Sequence, residues 1–403
     1  MIFLADSCCS VPLAAFGPLG GRPAWIGWPA AVSLAVWLWL LLCRGFYWRT
    51  DVRLPRPARP PERWPSVAVV VPARDEADVL PLSLPSVLAQ DYPGRAEVFL
   101  VDDGSSDGTG AVAEKLAEDL AQRRPHVLPL TVDSPGEPAA GWTGKLWALR
   151  HGIALARERG EPEYLLLTDA DIAHSPDSLR QLVEAALGAR LDLVSQMARL
   201  RVTSGWERLI VPAFVYFFAQ LYPFRWVNSP SARTAAAAGG CCLLRTDAAV
   251  RARLPDSIKG AVIDDVALGR AVKSRGGRIR LGLADGVRSV RPYERLPELW
   301  HMVTRSAYAQ LRCSPLLLLG TVAGLALVYL VPPAGALAGS AAGGAAWLLM
   351  AATYVPVLRY YRQPVWLAPA LPVTAALYLA MTVHSAVRHL RGRGAVWKGR
   401  AYR

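Results

Sequence analysis

The sequence predicts an α/β domain with a mostly parallel sheet, carried between N- and C-terminal transmembrane helices. Three observations lead there. Continuous apolar, β-branched runs such as Val-Ala-Val-Val-Val at 67–71 alternate with stretches of helical periodicity. That is the pattern of strands buried on both faces and joined by crossover helices. A stretch of about twenty uncharged residues, 24–43, precedes this region, and three apolar stretches at about 315–331, 336–358 and 364–387 follow it.

In chain order, the segment 1–23 is followed by AWIGWPAAVSLAVWLWLLLC at 24–43, closed by Arg44. That length suits one helical span. The competing reading, a signal peptide, needs a basic start and a small-residue cleavage site, and neither is present. Residues 44–64 are rich in arginine and proline, which predicts a stiff, extended linker. Strands are expected at 67–71, 97–101 and 164–168, and helices at 81–90, 108–124 and 144–159. Ser175-Pro176 is expected to cap a helix running to Leu187. Segments 206–224 and 294–313 are candidate interfacial helices. The first is apolar on nearly every side but short and broken by Pro212 and Pro223, so a core helix under the sheet is the alternative. Pro364, Pro369 and Pro372 crowd the last apolar stretch, which is compatible with a span or a re-entrant segment.

The formal net charge is +13, with basic residues crowded after the first apolar stretch and in the tail 388–403. Charge placed this way favours the cytoplasmic side of a membrane. It is not accompanied by a zinc-finger or RNA-binding motif, so no nucleic-acid partner is expected. The six cysteines include two adjacent pairs and no C-x-x-C spacing, which argues against a disulfide framework or a zinc site.

In parallel sheets ligands bind outside the carboxyl ends of the strands. Three polar motifs fall there: Pro72-Ala73-Arg74-Asp75-Glu76, Asp102-Asp103-Gly104-Ser105 and Thr168-Asp169-Ala170-Asp171. Each alone is also ordinary turn chemistry; three at one edge point to a site. Asp169 and Asp171 can offer carboxylate oxygens to a hard cation that also holds a diphosphate. Asp264-Asp265 opens an amphipathic helix. A carboxylate there can cap the helix, and Asp265 can also accept the proton of an attacking hydroxyl.

The ordered set PARDE (72–76), DDGSSDGT (102–109), GKLWALRHG (144–152), TDAD (168–171), AGGCCLLR (238–245) and IDDVAL (263–268) resembles family 2 glycosyltransferases, which have the GT-A fold. Within them it looks most like the hopanoid (hopene)-associated glycosyltransferases, relatives of ceramide glucosyltransferases. The resemblance covers about residues 65–330 and implies a catalytic domain over 65–313. It implies that Pro72, Ala73, Arg74, Glu76, Asp103, Lys145, Asp169 and Ala170 line the nucleotide-sugar site. Asp169 and Asp171 would hold a divalent metal, Mg or Mn. Gly239, Gly240, Asp264, Arg305 and Tyr308 would lie on the acceptor and diphosphate side, and Asp265 would be the catalytic base of an inverting displacement. Two departures stand out. The family's Glu-Asp pair is Asp264-Asp265 here, and the Gln/Arg-x-x-Arg-Trp motif has no intact copy, which argues against processive synthesis.

The expectation is a multi-pass protein of the cytoplasmic membrane with its catalytic domain in the cytoplasm. It would transfer one hexosyl unit from a nucleotide sugar, a UDP-sugar, to a membrane lipid, a hopanoid by resemblance. The rivals are a polyprenyl-phosphate glycosyltransferase, a polysaccharide synthase and a catalytically silent membrane scaffold.

Overall fold

The structure is a computed structural model that describes residues 24–55, 60–392, 396–397 and 400–401. The segment 1–23 and parts of the linker and basic tail lie outside the described residues. Among those described, the central sheet has eight strands. They are β1 (Val67–Ala73), β2 (Ala96–Asp102), β3 (Leu130–Asp133), β4 (Tyr164–Thr168), β5 (Ile172–His174), β6 (Leu193–Arg199), β7 (Cys241–Arg245) and β8 (Ile279–Ser289). Their spatial order is β3-β2-β1-β4-β7-β6-β8-β5. Only β7 and β5 run against the others. The carboxyl ends of β1, β2, β4 and β8 therefore share one edge.

β1 is apolar at every position because both of its faces are covered. Val67, Val69 and Val71 of β1 join one core with Val98, Leu100, Leu166, Leu179 and Leu182. Ala68 and Val70 join the other, with Phe99, Val101, Leu165 and Leu167. The first core is roofed by α2 (Leu80–Leu88) and α5 (Ser178–Gly188), with α3 (Thr109–Arg123) alongside; the second by α4 (Gly144–Gly160) and α6 (Gly205–Leu221). The helices expected at 81–90, 108–124 and 144–159 are these α2, α3 and α4. The helix after Ser175 starts later than expected. Ser175 closes a turn to Ser178 and donates its hydroxyl to Asp177, so it stabilises the approach rather than capping α5.

The second core does not stop at the domain. It continues through Trp37 and Leu40 of α1 (Ala24–Cys43) to Met350, Tyr354 and Met381 in the C-terminal helices. Three helices there are long and apolar enough to cross a membrane: Pro315–Leu337, Ala341–Tyr360 and Val365–Leu390. The proline-rich start of the last forms a 3-10 turn, Val365–Ala370, that leads into helix Leu371–Leu390 without a break in length. The helix Pro315–Leu337 contains a π turn at Ala326–Leu330. Pro332 has no N–H for the carbonyl of Val328, and the indole of Trp37 donates to that oxygen instead at 2.7 Å.

α6 is held on several sides. Ser204 and Glu207 form a capping box at its start. Further along, the Tyr216 hydroxyl meets those of Tyr47 at 2.8 Å and Thr353 at 2.7 Å. Arg44 donates to the carbonyls of Gln220 and Leu221 at its carboxyl end. The arginine–proline linker is less detached than its composition predicts: Val52 accepts the N–H of Leu283 at 2.9 Å, along β8.

Candidate active site

The residues singled out from the sequence gather at the shared strand edge, in two acidic knots, each closed by one cation. In the first, Lys145 at the start of α4 lies 2.8 Å from Asp169 Oδ1 and 3.0 Å from Asp264 Oδ2. Thr143 caps this helix, which fixes where Lys145 projects. Burial pulls the Lys145 ammonium down, but the two carboxylates outweigh it and hold the group above the ordinary lysine range. Burial raises the Asp169 carboxyl, an effect that Lys145 opposes and Asp171 adds to.

Asp265 lies beside this knot, in the first turn of the helix Asp264–Ser274. Its Oδ1 accepts the N–H of Val266 at 2.7 Å and its Oδ2 that of Gly239 at 3.2 Å. It is thus both a helix-end carboxylate and a pocket group. Burial, then the charge of Asp264, push its carboxyl up to about 6, against the pull of Lys145. A β-carbon at Gly239 would stand 3.4 Å from both Asp265 Cβ and Lys145 Nζ, which places this backbone beside both groups. Gly240 presents its carbonyl to the Thr168 hydroxyl at 2.8 Å. Lys145, Thr168, Asp169, Gly239, Asp264 and Asp265 line one cleft, with Pro72, Leu149, Leu167, Cys242 and Leu268. A second hollow, near Asn228, is lined by Lys273, Arg278 and Arg280, and Lys273 there donates to the carbonyls of Trp226, Val227 and Thr234.

The second knot contains a residue that the sequence reading missed. Arg291, just past β8, donates from Nε to Asp171 Oδ2 at 3.1 Å and from Nη2 to Glu76. Ser289 adds a hydroxyl to the same Asp171 oxygen at 3.2 Å. Burial lowers the Arg291 guanidinium, but Asp171 and Glu76 raise it further, so it stays charged. The only signal for it was its position after a strand, and Gly282, Asp285 and Gly286 obscure that strand's alternation.

Other expected site residues are placed differently. Asp103 is fully buried under Arg74, whose guanidinium donates to the Asp103 carbonyl. A nucleotide reaching Asp103 must move Arg74. Asp102 and Asp107 serve turns: Asp102 accepts from the N–H and hydroxyl of Ser105, Asp107 from those of Thr109. Ala73 sits at the end of β1, and its carbonyl accepts the Asp103 N–H at 2.8 Å. Ala170 is buried, its carbonyl held by Ser83. Arg305 is exposed, with its charge felt by Tyr293, which also senses Asp171, Arg291 and Glu76. Tyr308, expected on the acceptor side, packs toward the last helix. It is buried against the last helix, with its N–H donated to Ser385 and its ring 5.3 Å from that of His389. The apolar side of 294–313 packs there, and the tyrosine is part of that packing.

Among the described residues, no group of three His, Cys, Asp or Glu side chains is gathered to hold a metal by itself. Among the described residues, Asp169 Oδ2 and Asp171 Oδ1 accept no side-chain hydrogen bond, the contacts of Lys145, Arg291 and Ser289 falling on the other oxygens. Two hard oxygen donors with the remaining sites left to phosphate and water are what Mg²⁺ commonly takes, so the residues fit a cation shared with a diphosphate.

Residues 68–250 match the family model described as glycosyl transferase family 2. The chain carries a glycosyltransferase family 2 domain. Among its relatives, the domain is 34% identical over 161 residues to the polyprenol monophosphomannose synthase of Mycolicibacterium smegmatis, covering 39% of this chain and 54% of that one. It is 34% identical over 131 residues to the undecaprenyl-phosphate mannosyltransferase of Micrococcus luteus, covering 32% and 48%. The chain thus spans about half the length of these curated relatives. Both are named for polyprenol phosphates, and the hopanoid emphasis of the sequence reading has no counterpart in these names. A solved mannosyltransferase from Pyrobaculum calidifontis, in complex with GDP-Man and Mn²⁺, superposes with a TM-score of 0.53 at 20% identity, over 91% of this chain and 99% of that one. That likeness concerns the fold: the glycosyltransferase domain has the GT-A-like α/β architecture.

Proposed function

We propose that the family 2 domain transfers one hexosyl unit from a nucleotide diphospho-sugar to a membrane lipid, with inversion at the anomeric carbon. The observation that carries this reading is the placement of Asp265 beside the Lys145–Asp169–Asp264 knot, in a domain whose core runs on into helices able to cross a membrane. Asp265 accepts the proton of the attacking hydroxyl as its oxygen bonds to the anomeric carbon, and the bond to the diphosphate breaks. The two backbone N–H groups on the Asp265 oxygens hold the base in place. Lys145, held between Asp169 and Asp264, is one cation placed to meet the departing diphosphate. Asp169 and Asp171 would hold a divalent cation, Mg or Mn, which supplies neutralisation of charge on that leaving group.

Two acceptor classes remain in play, each with its own support. The names of the relatives favour a polyprenyl phosphate. The motif resemblance favours a hopanoid hydroxyl, and so does a base positioned as Asp265 is, because a phosphate oxygen is already ionised at neutral pH and needs no base. The proposed location is the cytoplasmic membrane, with the domain on the cytoplasmic side, where the arginines at 44–63 would be retained.

The test uses membranes containing the full chain, both lipid classes, and radiolabelled UDP- and GDP-sugars, with and without Mn²⁺ or Mg²⁺. Label in the lipid extract, lost on chelation and in Asp171→Ala, supports metal-dependent lipid glycosylation. Lability of the labelled lipid in mild acid identifies a glycosyl phosphate, and resistance identifies a glycoside. No turnover of any donor would favour the silent scaffold.

A further inference from the structure

Arg291 occupies an oxygen of a carboxylate that the proposed function assigns to the metal. Its Nε lies 3.1 Å from Asp171 Oδ2, its other arm reaches Glu76, and the Ser289 hydroxyl completes the contacts of that oxygen. The three charged side chains are mostly withdrawn from water, with 25% of Arg291, 9% of Glu76 and 16% of Asp171 exposed. Two carboxylates so placed need a cation, because an unpaired buried charge costs several kcal/mol. The guanidinium supplies it in this state. A divalent cation drawn to Asp171 would meet a positive group already bonded to it, so the two repel and compete. A diphosphate changes that balance. It is doubly anionic, and the planar fork of an arginine matches phosphate oxygens.

We propose that Arg291 is an exchangeable counter-ion, which guards Asp171 until a nucleoside diphosphate group arrives and makes cation binding conditional on the donor. On donor binding the guanidinium leaves Asp171 for the diphosphate, and the vacated carboxylate takes its share of the cation. The metal and the nucleotide then bind cooperatively, and each raises the affinity for the other by the same factor. Arg291 acts through Asp171 and Glu76 as a positioning residue. This inference rests on the assignment of Asp171 to the metal made above.

The test is Mn²⁺ binding to the full-length protein in detergent, read from the electron paramagnetic resonance signal of free Mn²⁺, with and without UDP or GDP. The wild type is expected to bind Mn²⁺ weakly alone and at least about tenfold more tightly with the preferred nucleotide, within the usual range of coupling. Arg291→Met is expected to bind Mn²⁺ alone about tenfold more tightly than the wild type, with the coupling reduced toward one. Arg291→Lys keeps the charge without the two-armed bridge and is expected to fall between. Unchanged or weaker Mn²⁺ binding in both variants would overturn the proposal, as would a wild type indifferent to nucleotide. Asp171→Ala separates the two levels: if it leaves Mn²⁺ binding intact, the metal assignment fails and this inference with it. If Asp171 is required but Arg291 is without effect, the guard role alone fails. Thermal melts accompany each variant, and Arg291→Lys carries the test if Arg291→Met does not fold.

Discussion

Removing the ammonium of Lys145 while keeping its volume, as in Lys145→Met, should destabilise the domain in a pH-dependent way. The nitrogen is 2.8 Å from Asp169 and 3.0 Å from Asp264, which at an effective dielectric of about 20 gives roughly 6 and 5.5 kcal/mol of gross attraction. Desolvation of the three groups offsets much of that. The loss also has a ceiling, because a carboxylate left unpaired can take up a proton. At pH 7 that costs about 1.36 kcal/mol for each unit above an ordinary pKa of 3.9, or about 4 kcal/mol. The carboxylates keep 34% and 24% of their side-chain surface in water, so about half of this, ~2 kcal/mol, is the expected loss. For a domain of this size that corresponds to roughly 4–8 °C in thermal midpoint. In the variant the folded-state pKa of a carboxylate lies above its unfolded value. Its penalty is therefore full at neutral pH and fades as pH falls toward 4, to under about 1 kcal/mol at pH 5. Thermal melts in detergent at pH 5 and pH 7 measure both effects. A shift of less than about 2 °C at pH 7, or one equal at the two pH values, would refute the reasoning.

Gly269→Ala should cost about 1–3 kcal/mol, because the new methyl would lie 2.6 Å from the backbone carbon of Ala236 and the helix would have to move; a thermal melt at pH 7 checks this. His174 is buried neutral between the hydroxyls of Thr168 and Ser178, and burial lowers it to about 4. With an unfolded value near 6.5, its share of stability is complete above that pH and is lost as pH falls toward 4, about 3 kcal/mol in all. A His174→Gln variant should show a correspondingly shallower acid dependence of its melting temperature. For an acceptor hydroxyl, kcat/KM should rise with pH through about 6 and then level, following ionisation of Asp265. A profile flat from pH 5 to 8 would exclude that carboxylate as the base.

Local pattern made much of this molecule readable. Both faces of β1 are covered, so its run is apolar throughout, and the acidic motifs follow strands whose ends share an edge. Asp265 was found by the helix it opens and by the motif it belongs to. What stayed hidden depended on pairing across long separations. Arg291 lies 215 residues from Glu76 and 120 from Asp171, and the strand that delivers it carries two glycines and an aspartate. Tyr308 shares a helical face with Arg305 by spacing, but the direction of that face is set by the last helix, through Ser385 and His389. The linker has the composition of a detached tether, yet its backbone finds a partner on β8, which composition does not encode.

The most direct test of the central claim is Asp265→Asn, assayed for sugar transfer to lipid and, separately, for donor binding. The substitution keeps the size of the side chain and removes its capacity to take a proton. For a hydroxyl acceptor the account predicts a fall in kcat of about 10²–10⁴-fold with donor affinity within a few fold of the wild type. Full transfer activity in a folded Asp265→Asn protein would contradict it.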